Sequence, residues 1–119
     1  MHPLKRLEAQ LVSAVSQTKP KVPEAGRLLW QWFGDLHETR TYGMSGPNPI
    51  SYMEMDAWCR IYGVRPTPEN VRILRAMDAA WLKWARQEQE RAAAAPAGKA
   101  VPHVSSQELS LKAFDVMFS

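Results

Sequence analysis

Prolines and glycines divide this chain into segments, and the segments between them repeat apolar residues at the spacing of an α-helix. Leu4, Leu7 and Leu11 recur in this way before the break at 19–23, where two prolines interrupt the pattern. Proline lacks the backbone N–H donor and restricts the residue before it, so it ends a helix or opens one. The pattern therefore predicts an all-α protein, a small orthogonal bundle of about four helices with a tethered C-terminal helix.

The predicted helices cover residues 4–18, 23–41, 51–62 and 67–91, and together they make one helical domain over 1–91. A chain of 119 residues suits one domain of this kind, with a single hydrophobic core.

Short-range signals mark the ends of the third and fourth helices. Ser51 precedes Glu54 by three residues, which is a capping-box pattern, and Thr67 stands before a proline as an N-cap. Gly63 occupies the place where a C-terminal cap needs the left-handed conformation. The segment 42–50 has two glycines and two prolines, so we expect it to lack regular structure.

Asp78 falls on the apolar face of the predicted fourth helix. A buried carboxylate is costly unless it has a partner. We therefore predict a structural role for Asp78, in a hydrogen bond or ion pair with Arg40 or with a cap donor.

A second apolar unit follows the predicted domain. Residues 92–104 are rich in alanine and proline and predict a flexible linker, and residues 105–119 predict a C-terminal docking helix that opens on another capping-box pattern. Such a segment either folds back on its own core or docks on another chain. Its apolar candidates for partner binding are Leu109, Leu111, Phe114, Met117 and Phe118.

Five tryptophans are many for one small core. Trp30 lies away from the apolar stripe of the second helix, so we expect it to be exposed. Trp84 is expected at the edge of the core. Tryptophan is enriched in the energetic centres of protein interfaces. We therefore predict that Trp30 and Trp84 bind a partner and that the other tryptophans are in the core.

The residues that usually carry chemistry do not form a motif. His2, His37 and His103 stand far apart, and Cys59 has no second cysteine near it, so no metal-ligand spacing occurs. Cys59 is interpreted as a small core residue. We predict no catalytic residues, no metal and no cofactor. The single cysteine, with no apolar stretch typical of a signal peptide or a membrane span, favours a cytoplasmic protein without a membrane partner.

Nucleic-acid binding is an alternative that the sequence only weakly favours. The net charge of +3 is spread along the chain instead of being concentrated. The third helix, the Gly63 turn and the fourth helix nevertheless resemble a helix-turn-helix, with Arg65, Arg72 and Arg75 available for phosphates. Glu69 opposes this interpretation, because it occupies the first turn of the would-be recognition helix. A DNA-binding regulator therefore stays an alternative.

The middle of the chain, about 28–83, resembles tail assembly chaperones of long-tailed bacteriophages, or the downstream partner of one. The resemblance is carried by Leu-Trp-Gln-Trp-Phe at 29–33, Pro-Ile-Ser-Tyr at 49–52 with Trp58 after it, and Thr-Pro-Glu at 67–69 with the later Asp78.

This resemblance implies a non-enzymatic role in tail morphogenesis, in the cytoplasm of the infected bacterial host. It implies that the partners are the tape-measure protein, the tail-tube protein and a companion chaperone, and that the protein leaves before the virion is complete. A phage protein that binds and modulates a host factor is a further alternative, and a homo-oligomer is another candidate assembly.

Overall fold

The computed structural model describes residues 3–94, and four α-helices make up most of that part of the chain. The predicted all-α class is confirmed. The helices are α1 (Pro3–Ala14), α2 (Arg27–Glu38), α3 (Tyr52–Tyr62) and α4 (Pro68–Ala93). A 3-10 turn, Glu24–Gly26, leads directly into α2. The predicted tethered helix over 105–119 lies outside the described residues.

The first two helices are shorter than their apolar patterns predict. The helix predicted over 4–18 ends at Ala14, because the exposed polar residues after Val15 offer no packing that would hold another turn. The helix predicted over 23–41 begins at Arg27 and ends at Glu38. Beyond that end, the Thr39 hydroxyl donates to the Leu36 carbonyl (2.6 Å), and the chain turns inward at Arg40.

The segment 42–50 contains a small hairpin where we expected no regular structure. The two-residue strands β1 (Tyr42–Gly43) and β2 (Gly46–Pro47) pair antiparallel, with Tyr42 opposite Pro47. Gly46 has a φ of 120°, which is a glycine conformation, and a Cβ there would lie 2.9 Å from Gln89 Nε2. The hairpin therefore rests against the second half of α4, and its backbone conformation at Gly46 requires glycine.

The long helix α4 is the central element of the core. α1 and α2 pack against it, and α3 packs against α2. The largest fully buried apolar side chains are contributed by α1, α2, α4 and the segment before α3: Leu11, Trp30, Phe33, Leu36, Ile50, Ile73, Leu74, Met77 and Trp81.

Local caps set the ends of α3 and the beginning of α4. Ser51 Oγ accepts from the Glu54 N–H (3.1 Å), and Gly63 ends α3 with a φ of 65°. Thr67 Oγ1 accepts from the Asn70 N–H (3.1 Å) while Asn70 Oδ1 accepts from the Thr67 N–H (3.0 Å). The caps confine the connection between the two helices to a few residues.

A buried polar network joins α2, the segment before α3 and α4. Arg40 forms an ion pair with Asp78 (2.5 Å), and its side chain also donates to His37 Nδ1 (3.0 Å) and to the Asn48 carbonyl (2.8 Å). The second oxygen of Asp78 accepts from the Ile50 N–H (3.0 Å). Asp78 is thus buried and paired, with Arg40 and a backbone donor as its two partners.

His37 and Trp81 complete this network. The Arg40 guanidinium lies over the Trp81 ring, 4.3 Å from its centroid, and the His37 ring meets the same indole edge-on at 4.4 Å. Burial, and then the positive charge of Arg40, lower the pKa of His37 to about 3. The imidazole is therefore neutral at neutral pH, which leaves Nδ1 able to accept from Arg40.

Replacing Asp78 with alanine should lower the free energy of unfolding by about 3–5 kcal/mol, because it leaves Arg40 charged and unpaired inside the core. The matched control is Asp56→Ala, which removes an aspartate from an exposed ion pair with Arg60. Urea unfolding should show a large decrease in the free energy of unfolding for Asp78→Ala and little change in it for Asp56→Ala. Equal losses would contradict a structural role for the buried pair.

The protein should become less stable as the pH falls through the range in which unfolded histidine gains a proton. The His37 pKa is about 3 in the folded chain and about 6.5 when unfolded. Between these two pH values the unfolded state therefore binds one more proton than the folded state. The contribution of His37 to the free energy of unfolding is complete above about pH 6.5 and is lost as the pH falls toward 3. The loss is at most about 1.4 kcal/mol per pH unit.

The His37→Gln variant retains an acceptor for Arg40 but cannot titrate. Urea unfolding from pH 7 to pH 4 should therefore show a flatter stability profile for the variant than for the wild type. Two profiles of equal slope would mean that other groups cause the acid sensitivity.

Candidate interaction surface

Helix α3 carries apolar residues on two faces, although only one of these faces is in the core. Met55 and Trp58 point inward and are buried. Met53 and Ile61 are 82% and 75% exposed, and the exposed Ala57 lies between them at the same four-residue spacing. Residues four apart lie above one another on a helix. Met53, Ala57 and Ile61 therefore form one continuous apolar row, here called the outer stripe.

A row of aromatic rings joins α3 to α2 next to the outer stripe. Tyr62 is 70% exposed, and its ring centroid lies 6.2 Å from that of the buried Trp58. Trp58 in turn meets the half-buried Trp32 edge-on at 6.1 Å. Leu28, one turn before Trp32 in α2, is also exposed. The exposed apolar surface thus extends from α3 toward α2.

Contiguous exposed apolar side chains of this size are typical of protein interaction sites. Solitary exposed apolar residues need no such explanation, but here three lie in register on one helix and aromatic rings adjoin them. We therefore identify the outer stripe as the candidate interaction surface of the described residues.

A separate apolar groove lies on the other side of α3, against α2 and the beginning of α4. Its volume is about 280 Å³. The groove is lined by Leu36, Tyr52, Met55, Asp56, Trp58, Cys59, Pro66, Val71 and Leu74.

The thiol in this groove is a poor nucleophile. Burial, and then the nearby carboxylate of Asp56, raise the pKa of Cys59. Since the thiolate is the reactive form, a raised pKa lowers the reactivity of this side chain at neutral pH. This agrees with the interpretation of Cys59 as a packing residue.

The expected exposure of Trp30 is wrong. Trp30 is only 1% exposed. The buried face of α2 is wider than the apolar stripe in its sequence, and it includes both Trp30 and His37, which lies two turns further along the same side of the helix. Trp84 is half-buried, with its ring 6.3 Å from that of Trp81. The other candidates for partner binding, Leu109, Leu111, Phe114, Met117 and Phe118, lie outside the described residues.

The outer stripe was not predicted from the sequence, although a signal for it was present. Met53, Ala57 and Ile61 repeat every four residues, as the members of a helix face do. The inward stripe of Met55 and Trp58 on the same helix already explains its amphipathic pattern. Only the exposed fractions show that this helix has a second apolar face.

One of the three arginines considered for DNA contact is engaged within the protein. The Arg75 guanidinium lies 4.1 Å from the centroid of the Tyr52 ring. Arg65 and Arg72 are exposed. Within residues 3–94, no group of three metal-binding side chains comes together, and no helix has the length and apolar character needed to cross a membrane.

The family model described as phage tail assembly chaperone matches residues 6–83, more than half of the chain. The chain belongs to the phage tail assembly chaperone family. The match confirms the resemblance seen in the sequence and includes all of α2 and α3, so both the outer stripe and the groove lie within the region shared with other tail assembly chaperones. No curated protein and no solved structure matches the chain.

Trp30 and the outer stripe should respond differently to substitution in this tail assembly chaperone. Trp30→Ala should lower the free energy of unfolding by about 3–5 kcal/mol, because it removes a buried indole and leaves a cavity. In the double variant Met53→Ser/Ile61→Ser, each substitution should change the free energy of unfolding by no more than about 0.5 kcal/mol, because both side chains are exposed. Urea unfolding measures both effects, and a large loss in the double variant would show that the outer stripe serves stability.

Proposed function

We propose that this tail assembly chaperone is a non-enzymatic protein that binds the tape-measure protein and the tail-tube protein of its phage during tail morphogenesis. Membership of the family supports the role in tail assembly. The observation that carries the choice of binding surface is the outer stripe, an exposed apolar row inside the matched region.

The shape of the outer stripe favours a helical, apolar client. A row of side chains at four-residue spacing is a ridge that packs into the groove of a second helix. A client helix with apolar residues at matching spacing would cover Met53, Ala57 and Ile61 together. The proposed client, the apolar tape-measure protein, suits this surface because its exposed segments need cover until the tail tube surrounds them.

The small extent of the surface favours binding that is reversible. The outer stripe covers two turns of one eleven-residue helix, with Tyr62 beside it. Affinity depends on a few well-packed central residues, and small interfaces are generally transient. Reversible binding is required of a chaperone that acts in the cytoplasm of the infected cell and dissociates before the virion is complete.

The perturbed titratable groups support a role without catalysis. Burial keeps His37 neutral, and its ring serves as an acceptor within the core network. Cys59 has a raised pKa. Both shifts come first from burial, and neither group lies on the outer stripe. We therefore assign these side chains to the architecture of the protein and not to a reaction.

Co-expression with the tape-measure and tail-tube proteins of the same phage genome tests this function. The wild type should co-purify with at least one of them. The double variant Met53→Glu/Ile61→Glu should reduce the affinity at least about tenfold, since two buried interface residues become charged. The matched control is Gln10→Glu/Ser13→Glu, which adds the same charge to exposed positions of α1 and should bind as the wild type does.

Thermal unfolding of the three proteins should first show that all are folded. If neither tail protein co-purifies with the wild type, the proposed function is wrong. If the charged variant binds as tightly as the wild type, the client binds a different surface.

A further inference from the structure

We propose that residues 105–118 of this chain bind intramolecularly in the groove between α3 and the beginning of α4. The inference does not depend on the identity of the client, because the groove and the outer stripe lie on different sides of α3. It assigns an occupant to an apolar cavity that the described residues leave open.

The groove suits a few apolar side chains of a peptide. Its volume of about 280 Å³ is at the lower limit of typical ligand pockets, which measure roughly 300–1,000 Å³. Leu36, Met55, Val71 and Leu74 give it apolar walls. A pocket for a polar metabolite would instead bring several polar groups together.

A buried donor in the groove lacks an acceptor. Trp58 is 5% exposed and lines the groove, and its indole N–H has no hydrogen-bond partner among residues 3–94. A buried N–H without a partner costs about 1–3 kcal/mol. The indole nitrogen is itself enclosed, so the apolar walls of the groove, and not this donor, are what a docked segment would contact.

The segment 105–118 has the composition that the groove requires. Its largest apolar residues are Leu109, Leu111, Phe114, Met117 and Phe118. Apolar residues at this density form a patch that is covered in most soluble proteins. The segment lies outside the region matched by the family, so its role is not inherited from the match.

The Arg75 guanidinium places one positive charge at the groove border, and the segment carries a net negative charge. Glu108 and Asp115 outnumber the single Lys112 of the segment. At the border, Arg75 stacks on the Tyr52 ring that lines the groove. An arginine beside an apolar groove favours a segment with an excess of carboxylates, and Asp56, the acidic residue of the lining, is already paired with Arg60.

The covalent chain is long enough for docking within one molecule. From Leu74 to the end of α4 at Ala93 the distance is about 30 Å, at 1.5 Å per residue. Residues 94–108 span up to about 50 Å when extended. The segment can therefore return to the groove of its own molecule.

Cys59 provides the test, because it is the only cysteine of the chain and lines the groove. Single cysteines are introduced into the full chain by Ser110→Cys and Ala113→Cys, with Ala97→Cys as the matched control outside the segment. After mild oxidation, at least one segment variant should form a disulfide with Cys59 within one molecule, and the control should not. Non-reducing gels and peptide mapping identify the bond.

Alkylation of Cys59 in the full chain is a second measurement. The variant Leu111→Ser/Phe114→Ser should react about tenfold faster than the wild type if the segment covers the groove about nine-tenths of the time. The linker variant Val101→Ser should react as the wild type does.

Two results would overturn the proposal. Disulfides between two molecules would show that the segment occupies the groove of a second copy. Equal alkylation rates in all the proteins, with no disulfide at either segment position, would show that the groove has another occupant.

Discussion

The buried ion pair between Arg40 and Asp78 is the interaction on which the arrangement of the helices depends. Two charges inside a small core are costly unless all their hydrogen-bonding groups are used. Each of the three side-chain nitrogens of Arg40 donates one hydrogen bond, to Asp78, His37 or the Asn48 carbonyl, and Asp78 accepts from Arg40 and from the Ile50 N–H. These hydrogen bonds therefore hold the end of α2, the segment before α3 and the middle of α4 in one mutual arrangement.

The position of α3 follows from this network. The Ile50 N–H bonded to Asp78 comes one residue before the Ser51 cap, so the network holds the start of the helix. Met55 and Trp58 then face inward, and the opposite side of the helix faces solvent. Because the core is complete without them, Met53 and Ile61 are available for a partner. Stability and the proposed client binding thus use different residues of one helix.

The two sides of α3 have different shapes, which suits different occupants. The outer stripe is a projecting row of side chains, while the groove is a recess with apolar walls. A ridge packs against another helix, and an apolar recess accepts the side chains of a peptide. The proposed client and the proposed C-terminal segment could therefore bind together without competition.

Local signals in the sequence determined the four helices, the caps at Ser51 and Thr67, and the need of Asp78 for a partner, because these features depend on residues within a few positions of each other or on burial alone. The resemblance at 28–83 also identified the family. Only the tertiary structure decided that Arg40 is the partner, 38 residues away, and that His37 joins it. It likewise buried Trp30 and exposed Met53 and Ile61. The physical reason is that the exposure of a helix face depends on the elements that cover it, which the periodicity of one helix does not specify.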